Sequence, residues 1–203
     1  MIGIIDYKAG NAPSALNACR RLGVDARLLS APDEIEECGG IILPGVGSAQ
    51  ATMDSLRETG IADALKKKVL DGGAPFLGIC IGLQVLFEHS EEEDAECLGW
   101  LSGEVRRFPE QMVRVPQIGW NEVRFVRERP VLSGIGESGF FYFVNSYYAV
   151  PKDSGIILGK TRYGVEFCSM IAHKNIIAAQ FHVEKSGETG LRLLKNFAAS
   201  VGN

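Results

Sequence analysis

Residues 75–88 constrain the fold of this chain more than any other segment. They begin as an apolar run typical of a buried strand, turn within a Gly-Ile-Cys-Ile-Gly pentapeptide, and continue with the pattern of an amphipathic helix. A tight strand-to-helix bend leaves room only for small flanking residues, so Gly78 and Gly82 should be sterically required. The segment therefore predicts that Cys80 lies at a strand-to-helix turn.

A thiol at a helix N-terminus lies near unpaired N–H groups and the positive end of the helix dipole, which favour the thiolate. Cys80 is therefore a candidate nucleophile, and the N–H of Ile81 is a candidate donor to an oxyanion. Taken alone, the pentapeptide fits equally well a small buried cysteine whose neighbouring glycines let a helix pack closely on a sheet.

A second segment, near the C-terminus, favours the catalytic interpretation. Residues 176–181 form an apolar run that predicts a strand, and His182-Val183-Glu184 continues it. In an extended chain, residues two apart project to the same side, so Glu184 should lie beside His182. A carboxylate bonded to one imidazole nitrogen fixes the tautomer while the other nitrogen accepts a proton from sulfur. The sequence thus predicts a Cys80, His182, Glu184 triad.

Composition excludes several other classes of protein. A chain of 203 residues with 46% hydrophobic content can bury one core, and we expect a single domain over residues 1–203. A net charge of −4 offers no basic footprint for nucleic acid or an anionic membrane. Five cysteines without paired spacing indicate reduced thiols. No apolar run approaches the ~18 residues of a membrane span, so we predict a cytoplasmic protein with no nucleic-acid or membrane partner.

The two halves of the chain differ in their apolar patterns. The first half alternates strand-like and helix-like segments, which predicts a parallel sheet with helices on both faces. Beyond residue 100, β-branched and aromatic runs separated by Gly, Pro and Asn predict antiparallel strands and a closing helix over 188–199. The predicted strands of the first half are 2–6, 24–29, 40–43 and 74–79, and the predicted helices are 13–22, 48–57 and 61–70.

The two candidate site segments carry a family resemblance. The stretches 78–84 and 180–186 resemble the signature motifs of class I (triad) glutamine amidotransferases. Within that family, the chain is similar from end to end to the glutaminase subunits of imidazole glycerol phosphate synthases. Further similar segments are residues 5–11, 43–47, 116–121 and 141–148. The resemblance implies an α/β, flavodoxin-like amidotransferase fold with a mostly parallel central sheet and antiparallel strands in the C-terminal half.

The resemblance also implies roles for particular residues. It implies glutamine as the substrate, no metal or organic cofactor, and an oxyanion hole in which the Val46 peptide reorients during activation. Without the Cys80 motif, residues 44–47 would be interpreted as an ordinary turn. Taken alone, Gln84 could face solvent, and residues 91–94 are most simply a solvated acidic loop. The implied oxyanion donors are Val46, Gly47 and Ile81, and the implied substrate contacts are Gln84, Glu92, Ser146 and Tyr147.

A partner is implied in the same way. The ammonia would pass to a separate (β/α)8-barrel cyclase subunit in a heterodimer. The docking face implied by the resemblance comprises Asn11, Trp120, Tyr142, Asn145 and Lys185. The chain departs from the family pattern at four positions: Val183 replaces a proline, Asn145 and Gln117 replace histidines, and Lys8 replaces a glycine. Valine favours an extended backbone, so we expect the triad geometry to survive.

Three alternatives remain open at this point. The first is a stand-alone cysteine hydrolase of the same fold, and the second is a glutaminase subunit that serves a different synthase. The third is a catalytically silent binding subunit, which an intact Cys80, His182 and Glu184 disfavour.

Overall fold

The first half of the chain alternates strands and helices, as its apolar pattern predicts. The computed structural model describes residues 1–7 and 11–202, so that Lys8 and Gly10, which belong to one of the similar segments, lie outside the described residues. The elements of this half are β1 (Ile2–Ile5), α1 (Ala12–Arg21), β2 (Ala26–Leu29), β3 (Gly40–Leu43), α2 (Ala49–Glu58), α3 (Ile61–Leu65), β4 (Phe76–Ile79) and α4 (Ile81–Gln84). A π-helical stretch, Lys66–Asp71, continues α3.

The second half is dominated by strands and closes with one long helix. Short 3-10 turns at Pro130–Leu132, Ser154–Ile156 and Val183–Lys185 separate some of the elements. The strands are β5 (His89–Ser90), β6 (Ala95–Glu96), β7 (Gly103–Arg107), β8 (Gln117–Phe125), β9 (Ser138–Asn145), β10 (Tyr147–Pro151), β11 (Ile157–Tyr163), β12 (Val165–His173) and β13 (Ile176–Ala179), and the helix is α5 (Gly187–Ala199).

One sheet joins all of these strands. Five of them form a parallel block in the order β2-β1-β3-β4-β13, and the sheet continues through antiparallel β12, β10 and β7. Strands β8, β9 and β11 form an antiparallel extension that joins at β12. Because β4 and β13 are parallel and in register, with Ile79 opposite Ala179, the segments that follow them leave the sheet at the same edge. The predicted fold class is confirmed.

The hydrophobic core lies on both faces of the sheet, as a parallel sheet covered by helices requires. On one face, α2 and α3 cover the sheet through Met53, Leu56 and Leu65. On the other, α1 and α5 cover it through residues such as Leu16 and Phe197. None of the helices in the described part of the chain is long and apolar enough to cross a membrane.

The helix after Cys80 differs from the prediction. We expected an amphipathic helix, but α4 is a single turn whose four residues are all buried. The carbonyls of Val85 and Leu86 accept hydrogen bonds from the N–H groups of Leu98 and Leu101, so backbone from residues 98–101 replaces the next helical turn. An apolar run that is covered on all sides needs no polar face, and sequence periodicity alone could not reveal this covering.

Candidate active site

Cys80 occupies the strand-to-helix turn that the sequence predicts. Its backbone has φ 56° and ψ −107°, a conformation that residues other than glycine rarely adopt and that costs about 1–3 kcal/mol. Its N–H donates to the Ala179 carbonyl at 2.8 Å, which ties the turn to the end of β13. A Cβ added at Gly78 would overlap the Gly82 carbonyl oxygen, and one added at Gly82 would overlap the Leu43 carbonyl oxygen. Both glycines are therefore sterically required.

His182 and Glu184 are in contact, but not for the reason that the sequence indicates. His182 Nδ1 lies 2.9 Å from Glu184 Oε1, and the two side chains are only 2% and 1% exposed. The expectation of a continuing strand is wrong: β13 ends at Ala179, and residues 183–185 form a 3-10 turn that brings the carboxylate back to the imidazole.

The 3-10 turn also changes the interpretation of Val183. The assumption that valine preserves an extended geometry here is wrong, because Val183 begins the turn and its side chain is fully buried. The first turn of a helix accepts proline as readily as other residues. The replacement therefore keeps the local backbone, and the valine side chain adds apolar packing.

The protonation of His182 depends on two neighbours. Burial acts to lower the pKa of the imidazole, but the interaction with the nearby Cys80 and the hydrogen bond and charge of Glu184 outweigh it and raise the pKa to about 10. The second ring nitrogen, Nε2, is buried and makes no hydrogen bond of normal geometry within the described residues. With Nδ1 held by Glu184, Nε2 is the nitrogen left for the Cys80 thiol.

The backbone around His182 is held by a serine that the sequence did not single out. Ser186 Oγ donates to the His182 carbonyl at 2.6 Å and accepts from the Tyr142 N–H at 3.0 Å, while the His182 N–H donates to the Tyr142 carbonyl at 2.9 Å. These contacts attach the 3-10 turn to β9. Asn11 adds a hydrogen bond from Nδ2 to Glu184 Oε1 at 3.3 Å.

A cavity of about 240 Å3 opens beside the Cys80 thiol. Its size is below the range usual for drug-sized ligands and is suited to a small metabolite. Every residue predicted for the oxyanion hole and for substrate binding lines this cavity. These residues come from four separate segments of the chain: 46–47, 81–84, 92 and 146–147. The lining residues are Val46, Gly47, Cys80, Ile81, Gln84, Glu92, Pro116, Val144, Asn145, Ser146 and Tyr147.

The predicted oxyanion segment follows β3 directly. Gly45 is packed so closely that an added Cβ would overlap the Tyr7 hydroxyl and the Ile81 side chain. Gly47, by contrast, has φ +125° and no atom within 4 Å of an added Cβ. Ile81 is the first residue of α4, and the first N–H groups of a helix have no acceptor inside it. Backbone N–H groups from two segments are thus available near the thiol.

Glu92 is not simply part of a solvated loop. Its Oε2 accepts a hydrogen bond from the Ala49 N–H at 2.9 Å, and it is half-buried in the cavity wall. Burial and the neighbouring Glu93 charge raise the pKa of this carboxyl, and the Ala49 hydrogen bond opposes the shift. Gln84 is also buried and does not face solvent. The structure therefore places both Gln84 and Glu92 in the cavity beside the Cys80 thiol.

The predicted docking residues fall into two groups. Trp120 is 56% exposed and packs edge-on against Tyr142, and Lys185 is also exposed. Asn145 is buried: its Nδ2 donates to the Tyr147 carbonyl at 2.9 Å and it lines the cavity. The docking role of Asn145 stays a prediction, and the structure shows that this side chain is also part of the cavity wall.

Sequence reasoning missed one further residue next to Cys80. Gln180 is fully buried, and its Nε2 lies 3.6 Å from Cys80 Sγ. A glutamine inside the apolar run 176–181 was the signal that could have revealed it, since a buried amide needs partners. Among the described residues, no group of three or more His, Cys, Asp or Glu side chains could hold a metal ion.

Comparison with known proteins identifies a family with this arrangement. The family model for class-I glutamine amidotransferases matches residues 3–201. A relative from Dehalococcoides mccartyi, named imidazole glycerol phosphate synthase subunit HisH, is 47% identical over 198 residues, which are 97% of this chain and 96% of the relative. A relative of the same name from Chloroflexus aurantiacus is 44% identical over 201 residues, covering 97% and 94%.

Solved structures agree with the fold. A crystal structure of a glutamine amidotransferase has a TM-score of 0.78 at 22% identity, covering 100% of this chain and 99% of the other. The structure of PurLQS from Thermotoga maritima also has a TM-score of 0.78, at 17% identity, covering 98% and 97%. At these identities the similarity concerns the fold alone.

Proposed function

The chain belongs to the class-I glutamine amidotransferase family, and from this premise we propose that it is the glutaminase subunit of an imidazole glycerol phosphate synthase. In that function it hydrolyses glutamine to glutamate and ammonia, and a partner subunit consumes the ammonia. The observation that carries the proposal is the 240 Å3 cavity, which has the Cys80 thiol in its wall and the buried His182–Glu184 pair behind that thiol.

In the first half of the reaction, the Cys80 thiolate attacks the side-chain amide carbon of glutamine. Before this attack, the proton of the Cys80 thiol has passed to His182 Nε2, and Glu184 steadies the resulting imidazolium through Nδ1. The N–H groups of Ile81 and of the segment that contains Val46 and Gly47 bind the oxyanion. Each such donor typically contributes a factor of about 10²–10³ in rate.

In the second half, His182 returns the proton to the leaving nitrogen, and ammonia departs from a γ-glutamyl thioester on Cys80. Water then loses a proton to His182 and attacks the thioester carbon. Collapse of the second tetrahedral intermediate releases glutamate and restores the thiol. No redox step or further reactant is needed.

Substrate recognition uses the remaining walls of the cavity. The half-buried Glu92 carboxylate is suited to the positively charged α-amino group of glutamine, because a charge-assisted hydrogen bond gains strength where water is excluded. Gln84, Ser146 and Tyr147 supply neutral polar groups for the rest of the amino acid. Glu92 is the one acidic residue among those that line the cavity, which fits a substrate with a single amino group.

We infer that the partner docks on an exposed apolar stripe made of Ile118, Trp120, Phe140 and Val144. These residues lie on one face of the β8–β9 ladder, in which Ile118 is opposite Val144 and Trp120 is opposite Tyr142. Ile118 and Phe140 are 65% and 61% exposed, which is unusual for clustered large apolar side chains. The stripe reaches the cavity, because Val144 belongs to the stripe and also lines the cavity. The occupant we propose is a (β/α)8-barrel cyclase subunit.

The stripe's position suggests how docking activates the site. Val46 lies between the closely packed Gly45 and Gly47, which has open space around it. The peptide on the Gly47 side of Val46 can therefore rotate, while the packing of Gly45 keeps β3 in place. A partner on the stripe can then favour the oxyanion-binding orientation over a resting one. The isolated chain should therefore be a slow glutaminase.

The proposal is tested by replacing the nucleophile and measuring two products. Cys80→Ala, assayed with the barrel subunit and its nucleotide ligand, should release no glutamate from glutamine. The barrel subunit supplied with ammonium salts should still form product with this variant present. Cys97→Ser is the matched control, since Cys97 is a half-buried thiol outside the site, and it should retain wild-type glutamate release.

The same assay separates the alternatives. If the isolated chain already matched the liganded complex, the chain would be a stand-alone hydrolase. If glutamate release were stimulated only by a partner from another synthase, the partner assignment would be wrong and the glutaminase assignment would stand.

A further inference from the structure

Gln180 has no role in the function proposed above, yet its side chain lies against the nucleophile. It is fully buried and lies two residues before His182. A buried amide is costly unless its donor and acceptor atoms have partners. Its Oε1 accepts from Gln84 Nε2 at 3.0 Å, and its Nε2 lies 3.6 Å from Cys80 Sγ. The amide thus joins a cavity residue to the sulfur.

The orientation of this amide follows from its partners. The oxygen and nitrogen of an amide side chain are similar in shape, so hydrogen bonding must tell them apart. The Tyr147 carbonyl can only accept, and therefore Gln84 presents its NH2 group to it, at 3.2 Å. The same NH2 group donates to Gln180, so Gln180 presents its oxygen to Gln84. The NH2 group of Gln180 is left facing Cys80 Sγ.

The sulfur has a different partner in each protonation state. As a thiol, Cys80 can donate to the Val144 carbonyl, which lies 3.9 Å away. A thiolate cannot donate, and in a buried site its charge needs donors, of which the neighbouring His182 imidazolium is one. The Gln180 N–H is a donor that the surrounding network already aims at the sulfur.

We propose that Gln180 is a further catalytic residue, whose side-chain N–H donates a hydrogen bond to the Cys80 thiolate and stabilises it before attack. Gln84 is a positioning residue in this scheme, because it holds the Gln180 oxygen and so fixes which end of the amide meets the sulfur. The inference rests on the proposed function for the reaction that follows, but the thiolate can be examined without any substrate.

The test is the pH dependence of Cys80 reactivity toward a small aromatic disulfide, in Gln180→Met and in the unsubstituted chain. Methionine keeps the length of the side chain and removes its donor. Both proteins carry Cys97→Ser, because Cys97 is half-buried while the other four cysteines are buried, and it would compete for the reagent. Labelling of Cys80 is followed by mass spectrometry of its peptide.

Loss of the donor should move the midpoint of the pH–rate curve upward by about one unit, a tenfold change in the ionisation constant. Thiolate nucleophilicity rises with basicity with an exponent of about 0.4–0.5. The rate of Gln180→Met should therefore be about threefold lower on the acid side and about threefold higher on the alkaline plateau. The two curves should cross, which general damage to the site would not produce.

A control and a second variant make the outcome decisive. Thr161→Val removes a buried hydrogen bond to Ser169 outside the site, and its curve should match that of the unsubstituted chain. An unmoved midpoint in folded Gln180→Met, or a rate lowered by one factor at every pH, would overturn the inference. If Gln180→Met does not fold, Gln84→Met decides: an upward shift supports the proposal and no shift refutes it.

The outcome is independent of the proposed function. If the curves cross but the complex of wild-type chain and barrel subunit releases no glutamate, the thiolate donor stands and the glutaminase assignment fails. If glutamate is released and the midpoint does not move, the glutaminase assignment stands and Gln180 is only a packing residue.

Discussion

Replacing Glu184 by glutamine tests whether this carboxylate keeps His182 protonated. Glutamine retains the shape of the side chain but removes a negative charge 2.9 Å from His182 Nδ1. The pKa of His182 is raised from 6.5 to about 10 by contacts with Cys80 and Glu184 that overcome the opposing effect of burial. An adjacent carboxylate typically supplies about 1–3 units of such a shift, so His182 in the variant should titrate between about pH 7 and 9.

The same shift predicts how stability depends on pH. Because the pKa of His182 is higher in the folded state than in the unfolded state, protonation of His182 stabilises the fold. This stabilisation is complete below the unfolded pKa of about 6.5 and is lost as the pH rises through the folded pKa of about 10. Each unit corresponds to about 1.4 kcal/mol. The wild type should therefore exceed Glu184→Gln by about 1–4 kcal/mol at about pH 6, and this difference should disappear toward pH 10.

The measurement is urea unfolding at a series of pH values, together with an NMR titration of the histidine ring protons. Asp94→Asn is the matched control: Asp94 also lies against a histidine, with its Oδ1 2.8 Å from His89 Nε2, but it is 96% exposed. Water screens an exposed pair, so this control should change stability much less at every pH. A difference between wild type and Glu184→Gln that stays constant across the range, or a His182 titration that does not move, would refute the reasoning.

The strand-to-helix turn at Cys80, the cavity and the apolar stripe each yield a further prediction. Gly82→Ala should lower the free energy of unfolding by about 3 kcal/mol or more, because the new Cβ would overlap the backbone oxygen of Leu43. Gly99→Ala, with open space but φ +64°, should cost only about 1–2 kcal/mol in the same denaturation experiment. Glu92→Gln should raise the KM for glutamine about tenfold with a much smaller effect on kcat, as expected for a ground-state contact; an unchanged KM would exclude Glu92 as a substrate ligand. Trp120→Ser should leave the stability of the isolated chain within about 0.5 kcal/mol and weaken partner binding at least tenfold by titration calorimetry; unaltered affinity would remove Trp120 from the interface.

The sequence allowed the local features of the site to be predicted wherever a few consecutive residues decide them. The requirement for Gly78 and Gly82 around Cys80 follows from steric exclusion within one turn, and the structure has both glycines against backbone oxygens. The contact between His182 and Glu184 was predicted from an extended chain, yet it is made by a 3-10 turn. The spacing of two residues thus indicated the right pair of side chains, although the backbone conformation assumed for them was wrong.

The predictions that failed all depended on distant parts of the chain. The segment after Cys80 looked amphipathic, but backbone from residues 98–101 covers its outer side. The sequence also could not show that the Asn145 side chain is buried in the cavity wall, where its Nδ2 donates to the Tyr147 carbonyl. Periodicity reports which residues share a face and does not report what lies against that face.

The sequence by itself determined the thiol at a strained turn, the alternation that yields a parallel sheet, and the identity of the histidine and carboxylate. These depend on steric limits and periodicities that act over a few residues. Only the tertiary structure decided that β13 pairs with β4, which brings the segment after Ala179 to Cys80 across a hundred residues of chain. That pairing, and with it the Gln180 contact to sulfur, is the outcome of burying both faces of one sheet, and no local sequence pattern encodes it.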